Sequence, residues 1–319
     1  KCYVTGEGAE AWLESLVANR IPKTVGRIGL CHMLSLNGGV RSEYTIYKAR
    51  PNGYYLVSAG AFERHDHDYL LKSLPDDGSV RVYPVTTQYG VLVLAGPRSR
   101  DVLQKLTDAD LSTETFPWLT GQRISVGAAK VSALRVNFVG ELGWELHHPI
   151  ETQNVIFDLL MDAGNEFDIK PFGIKAMDAL RIEKSYRLIP RELSIEYAAL
   201  ESGLDRFVRL NKESFVGRDA LVAWQQQGFA NRFVTMDVGN IGDADPRGNE
   251  PIYAGGELVG RCTSGGFGWR VEKSIALGMV PPALGEIGQS LEVEILGERY
   301  PATVIAESPF DPENERLRS

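Results

Sequence analysis

Near Arg232 the hydrophobic pattern of the chain changes, and that change limits the possible folds more than any single motif. Beyond it, short alternating runs recur at 233–238, 257–261, 276–280, 290–295 and 299–305, separated by Gly and Pro turns. Period-two alternation marks strands, and their regular spacing predicts a small all-β barrel or sandwich over 228–308. Before the change, helical and strand patterns alternate, which predicts an α+β region over 1–222. Residues 309–319 are charged and contain Pro312. They read as a tail that lies loose or drapes over a surface.

The first region contains a weak internal repeat. Val4-Thr5-Gly6 followed by Trp12, Leu13 and Leu16 lines up with Leu94-Ala95-Gly96 followed by Val102, Leu103 and Leu106. Each is a strand end, a Gly turn and a helix whose apolar residues share one face. The pair suggests two related α+β subdomains, the second roughly 86–170, with chance similarity of a common unit as the alternative. Strand signals at 42–49 and 54–58 read as a hairpin across Pro51-Asn52-Gly53. Others lie at 80–84, 91–94, 130–138 and 144–148. Helices are predicted at 64–74, 153–164 and 173–184.

Composition narrows the function. The chain has 319 residues, 43% hydrophobic, with a net charge of -8. That charge repels phosphate backbones and anionic lipid, so neither nucleic acid nor a membrane surface is an expected partner. No apolar run nears the ~20 residues that span a bilayer. Cys2, Cys31 and Cys262 are odd in number and scattered, which supports neither a disulfide framework nor a zinc site. His65/His67 and His147/His148 suit surface or strand positions better than ligation, so no metal is expected. A reducing compartment fits: cytoplasmic, or the mitochondrial matrix in a eukaryote. The opening Lys1-Cys2-Tyr3-Val4-Thr5-Gly6 reads as a strand already entering a turn. The expectation is a C-terminal half of a longer polypeptide, with a trimmed N-terminus as the alternative.

Three polar segments stand out. Residues 176–193 run from a helix carrying Asp178 and Arg181 into a loop with Tyr186, Arg187, Arg191 and Glu192. Pro190 disfavours helix at Ile189. Guanidinium, carboxylate and aromatic groups there could hold a planar ligand with an anionic tail. Composition alone reads the same stretch as a solvated charged helix. Gly38-Gly39 enters a strand carrying Glu43, either a positioned base or an exposed strand residue. Gly140-Glu141-Leu142-Gly143 sets a carboxylate in a Gly-flanked turn, the wrong charge for a phosphate loop.

Taken in order, these segments resemble the glycine cleavage T-protein (aminomethyltransferase) family over nearly the whole chain. That family's Gly-Gly turn, acidic residue and following tyrosine match Gly38-Gly39, Glu43 and Tyr47. Its Gly-Glu-x-Gly-x-Glu turn matches Gly140 to Glu145. Its Arg-Asp-Ser-Leu-Arg-Leu-Glu helix matches Met177 to Glu183, with Glu192 at the end of the next loop. Its Thr-Ser-Gly motif is Thr263-Ser264-Gly265. The resemblance implies a cloverleaf of two related α+β subdomains plus a β-barrel, and tetrahydrofolate as cofactor. The chain departs from the family at Glu43, where Asp is usual, at Ser42, which replaces an acid, and near Ala59, Cys31 and His32.

Residues 183–207 look more like the C-terminal half of flavin-linked dimethylglycine and sarcosine dehydrogenases. In those enzymes a flavin half oxidises an N-methyl amine, and tetrahydrofolate captures the iminium carbon as 5,10-methylenetetrahydrofolate. The resemblance implies Glu43 as the catalytic carboxylate, Glu141 at the pterin edge, and Arg181 and Tyr186 toward the benzoyl-glutamate side. It adds Tyr47 and Glu192 as further folate-binding residues. FAD would be bound only by an N-terminal half, a covalent or associated flavin domain, since no FAD fingerprint occurs here. A free-standing folate-dependent aminomethyltransferase or demethylase, and a non-catalytic folate-binding module, stay open as alternatives.

Overall fold

The computed structural model describes residues 1–239, 242 and 244–319. The chain divides into two compact units. Residues 1–31, 43–172 and 314–319 form the first, and residues 32–42 with 173–313 form the second.

In the first unit the sequence repeat becomes topology. Strand β1 (Cys2–Thr5) leads through α1 (Ala9–Leu16) to β2 (Ile28–Leu34), β3 (Val40–Arg50), β4 (Gly53–Val57), α2 (Glu63–Lys72) and β5 (Arg81–Pro84). The succession returns in β6 (Tyr89–Ala95), α3 (Ser99–Gln104), β7 (Gly121–Val126), β8 (Ala129–Leu134), β9 (Gly143–Pro149) and α4 (Gln153–Gly164). The sheets are ordered β2-β3-β4-β1-β5 and β7-β8-β9-β6. In each, the strand before the Gly turn pairs antiparallel with the third strand after it, β1 with β4 and β6 with β9.

Helix α1 forms where its apolar stripe predicts, burying Ala9, Trp12, Leu13 and Leu16. The indole N–H of Trp12 donates to the Ser73 carbonyl at 2.7 Å, so the polar end of a buried ring is satisfied. One core gathers around Trp144, Leu146, Leu103, Phe116 and Ile156. A second joins Ile28, Tyr47, Tyr55, Val85 and Leu134. Each such side chain contributes roughly 1.5–3 kcal/mol through removal from water.

The second unit is built on a barrel. Helix α5 (Ile174–Ile182) and α6 (Arg218–Gln227) precede β10 (Arg232–Val238), β11 (Pro251–Ala254), β12 (Glu257–Gly268), β13 (Lys273–Val280), β14 (Ser290–Ile295) and β15 (Glu298–Ile305). The strands close in the order β10-β13-β12-β11-β14-β15. Closure leaves no unpaired sheet edge. Met236, Ile252, Cys262, Val293 and Val304 fill the interior. Ile182, at the end of α5, packs with Phe233, Ile275, Leu277 and Met279.

Three strands escape the sequence reading. β2 is Ile-Gly-Leu-Cys-His-Met-Leu, and its last four residues are all buried, so no alternation survives. β7 opens Gly-Gln-Arg, and β11 is four residues beginning with Pro. β12 also runs past 261, through Thr-Ser-Gly-Gly-Phe-Gly, a composition that reads as loop. Pairing of Ser264 through Gly268 with β13, after a bulge, carries the strand on.

The chain end is bound rather than loose. In the second unit the amide of Phe310 donates to the Glu183 carbonyl at 3.0 Å, and Ser308 Oγ to the Lys184 carbonyl at 2.9 Å. In the first, helix α7 (Glu315–Arg318) ends the chain with Leu317 3% exposed. Buried Arg135 donates there to the carbonyls of Leu317 and Ser319.

Candidate functional site

In the first unit, Glu43 and Tyr47 stand four apart on β3 and so on the same face of the strand. Glu43 is half-buried, while Ser42 and Tyr44 beside it are buried on the opposite face. Tyr47 is 6% exposed, packs into the second core, and donates its hydroxyl to the Gly121 carbonyl at 3.3 Å. Burial holds its phenol above the usual range. Tyr47 is thus a core residue whose hydroxyl is bound to backbone.

Glu141 lies in the turn between β8 and β9. Asn137 Nδ2 donates to the Glu141 carbonyl at 2.7 Å and fixes the turn. Its side chain is 12% exposed, and Oε2 lies 3.4 Å from Arg316 Nη1. His147 and His148 do lie on a strand, but buried rather than at the surface. His147 bridges the Tyr55 hydroxyl and the Glu145 carboxylate, both at 3.1 Å.

In the second unit the 176–193 stretch inverts the reading of a solvated helix. The first turns of α5 are exposed, with Ile174 at 77%. The charged end is the buried end: Arg181, Glu183, Lys184, Ser185 and Glu192 are each 1% exposed or less. Charges at such depth must be paired.

Arg181 meets that requirement with four contacts. Nε donates to Asp178 Oδ1 at 2.7 Å, Nη1 to the Tyr186 carbonyl at 3.0 Å and to Glu192 Oε2 at 3.3 Å, and Nη2 to Ser264 Oγ at 2.7 Å. One guanidinium therefore joins the helix, the following loop and barrel strand β12. Its donors face protein groups, which makes it a positioning residue rather than a free ligand for an anionic tail. Glu183 is held by Arg270, whose backbone amide donates to Oε1 at 2.6 Å and whose Nε bonds Oε2. Arg187 pairs with Glu307 through both terminal nitrogens, at 2.7 and 2.9 Å.

Glu192 is the exception to full pairing. Oε2 accepts from the Leu188 amide at 2.9 Å and from Arg181. Oε1 is buried and has no hydrogen-bond partner among the described residues. An acceptor left so is costly unless a donor reaches it. Tyr186 follows in the same loop, its phenol pushed up to about 12, first by burial and then by the negative charge of Asp311.

The Gly38-Gly39 pair does serve a close approach. A Cβ on Gly39 would meet the Ile195 carbonyl oxygen at 2.6 Å, and Gly39 bridges Ala198. The pair thereby seats residues 40–42, which belong to the second unit, against the 194–199 loop of that same unit. Ser264 belongs to a sequence motif but had no assigned task. Its signal was the Thr-Ser-Gly run inside a strand, where a small hydroxyl can receive a buried donor. Among the described residues, no group of three or more His, Cys, Asp or Glu could hold a metal ion. No helix among them is long and apolar enough to cross a membrane.

Comparison with known proteins gives the family and the fold. Residues 1–212 match the GCVT N-terminal domain, and residues 231–311 match the glycine cleavage T-protein C-terminal barrel domain. Human mitochondrial dimethylglycine dehydrogenase is 40% identical over 322 residues, covering 100% of this chain and 37% of that protein. Mouse mitochondrial sarcosine dehydrogenase is 33% identical, again over 100% of this chain and 37% of its own length. An aminomethyltransferase of Caldanaerobacter subterraneus subsp. tengcongensis is 29% identical over 95% of this chain and 80% of its own. The chain thus spans just over a third of the dehydrogenases. The crystal structure of aminomethyltransferase T from Bartonella henselae superposes with a TM-score of 0.87 over 98% of this chain and 84% of that one, at 20% identity. Sequence and fold together identify the chain as a member of the glycine cleavage T-protein family of folate-dependent aminomethyltransferases.

Proposed function

We propose that this chain is the tetrahydrofolate-binding, one-carbon-accepting portion of a flavin-linked N-methyl amine dehydrogenase. The observation that carries this reading is the end-to-end match, at 40% identity, to a segment of dimethylglycine dehydrogenase. Free-standing aminomethyltransferases match at lower identity. That a 319-residue chain covers 80% of one of them keeps a second reading alive, a self-contained aminomethyltransferase.

The residues suit the ligand. Tetrahydrofolate presents N–H donors on its pterin, and in the first unit the Glu141 carboxylate is an acceptor set in buried surroundings. In the second unit Arg181 holds Glu192, whose Oε1 is an open acceptor, and Tyr186 offers a neutral aromatic face, the groups to which the family resemblance assigns folate contacts. Tyr47 shapes the face of β3 from which Glu43 projects. Glu43 keeps the folate nitrogen oriented and accepts its proton as the carbon bond forms. A flavin domain outside this chain would supply the oxidised amine. Keeping that electrophile from water suppresses release of formaldehyde.

Glu43→Gln tests the reading in a polypeptide that also carries its flavin domain. Tetrahydrofolate affinity is expected to stay within about twofold, because a neutral amide still fills the site, while methylene transfer falls ~10²-fold or more. Formaldehyde release should rise in proportion. An unchanged partition between methylenetetrahydrofolate and formaldehyde removes Glu43 from the mechanism.

A further inference from the structure

A cavity of about 220 Å³ opens in the second unit beside the Arg181 network, lined by Pro190, Arg191, Arg247–Asn249 and Arg261–Thr263. No carboxylate is among these residues, although the chain carries a net charge of -8. Three arginines line it, and the contacts of Arg181 do not account for them. We propose that this cavity is a binding site for a dicarboxylate, each carboxylate taken by a guanidinium fork.

The backbone holds the arginines on fixed walls. The amide of Asn249 donates to the Cys262 carbonyl and that of Cys262 to the Glu250 carbonyl, both at 2.8 Å. The 247–250 segment is thereby stitched to β12. Gly248, at φ +123°, lies so close that a Cβ would meet the Thr263 carbonyl oxygen at 2.6 Å. Only glycine lets Arg247 and Arg261 stand over one hollow. Arg191 Nη1 reaches across to the Arg247 carbonyl at 3.5 Å and to Ser264 Oγ at 3.4 Å, which ties the third wall to the other two.

Of the nearby acids, Glu250 is taken up by backbone, while Asp178 and Glu196 each pair with one nitrogen of a cavity arginine, Arg191 and Arg261. Glu250 accepts the backbone amides of Arg247 and Gly248, both at 2.7 Å. Asp178 takes the closer contact with Arg181 and lies 3.8 Å from Arg191. Glu196 bonds Arg261 Nη2, and the Tyr197 hydroxyl accepts from Arg261 Nε at 3.0 Å. Arg261 keeps Nη1 for a ligand, Arg191 keeps Nε and Nη2, and the Arg247 side chain has no partner among the described residues. Planar donors in forks match carboxylates bidentately, and more than one open fork calls for more than one carboxylate. Two sources carry that chemistry: a free dicarboxylic acid, or the glutamyl end of a folate. The glutamyl source rests on the tetrahydrofolate reading above; the dicarboxylate site does not.

The test is calorimetric titration of the full 319-residue chain with glutarate, inorganic phosphate, and tetrahydrofolate bearing one or three glutamates. Glutarate should bind with one-to-one stoichiometry and more tightly than phosphate. Arg247→Ala, which breaks no bond within the protein, should weaken it about tenfold, the worth of one charge-assisted fork. Lys170→Ala, a surface cation of the first unit, should leave it unchanged. A preference for triglutamate that Arg247→Ala abolishes makes the folate tail the source. Glutarate binding without that preference makes the source a free dicarboxylate, and the proposal stands. Failure of monoglutamyl tetrahydrofolate to bind counts against the folate reading alone. No glutarate binding, phosphate binding at least as tight, or Arg247→Ala without effect overturns the proposal.

Discussion

Arg181 shows how far one side chain can be read from sequence. Its i, i+3 spacing from Asp178 was legible, and the pair forms. Its depth was not, because composition reports which charges a segment holds and not which way they face. The guanidinium is fully buried, with Glu192 equally so. Removing one member of such a pair leaves a buried charge uncompensated. Arg181→Ala should therefore lower stability by ~3–5 kcal/mol. Arg181→Lys should recover less than half of that loss, since an ammonium cannot bridge Asp178, Glu192 and Ser264 at once. Urea unfolding measures both. A loss below ~1 kcal/mol, the level of a surface pair, would show that the network does not hold the loop. Glu43 is singled out only by the ordered motifs, because nothing local distinguishes a half-buried strand glutamate from any other.

Among elements, long periodic segments were readable and short or doubly buried ones were not. α4 occupies the predicted span because Ile156, Leu160 and Gly164 recur along one buried stripe. β2 left no signal because both of its faces meet protein. The 308–311 segment misled for a related reason: its attachment uses backbone, which composition does not encode. Lys184 Nζ donates to the carbonyls of Phe310 and Asp311, and the Ser308 amide donates to Ser185 Oγ at 3.0 Å. Lys184→Met keeps the apolar stem and removes both donors. It should cost about 2 kcal/mol and raise exchange of the Phe310 amide well before global unfolding. Hydrogen exchange checks it. Protection equal to that of the parent chain would mean the segment is held without Lys184.

For the whole molecule, the change to an all-β second part was legible because period and turn spacing are properties of long stretches, while closure into a barrel and the paired subdomains were expected only from the family resemblance. Residues 32–42 joining the second unit were not foreseen, since the grouping depends on the Gly39–Ala198 bridge. Alkaline stability belongs to this scale. The phenols of Tyr3 and Tyr186 are pushed up to about 12 from a usual 10, mainly by burial, and Tyr55 is raised further by the same cause. A folded pKa above the unfolded one means the folded state holds its proton longer. That stability is fully present below pH 10 and is lost as pH rises toward about 12. Tyrosinate absorbance should therefore appear in two steps, exposed phenols first and the buried set together with unfolding. A single smooth titration with the fold intact would contradict this.

The first unit also has an order of assembly written into it. Its sheets are complete by residue 172, yet residues 314–319 belong to it and arrive only after the whole barrel has been made. Until then the Arg135 guanidinium, lowered to about 10 by burial and by Arg100, lacks the Leu317 and Ser319 carbonyls that receive it. A ribosome-bound chain paused before those residues would carry a nearly finished unit whose Arg135 keeps the Phe116 carbonyl and the Thr113 hydroxyl but lacks acceptors for Nη2. Such a nascent chain should stay open to chaperones until synthesis passes that point.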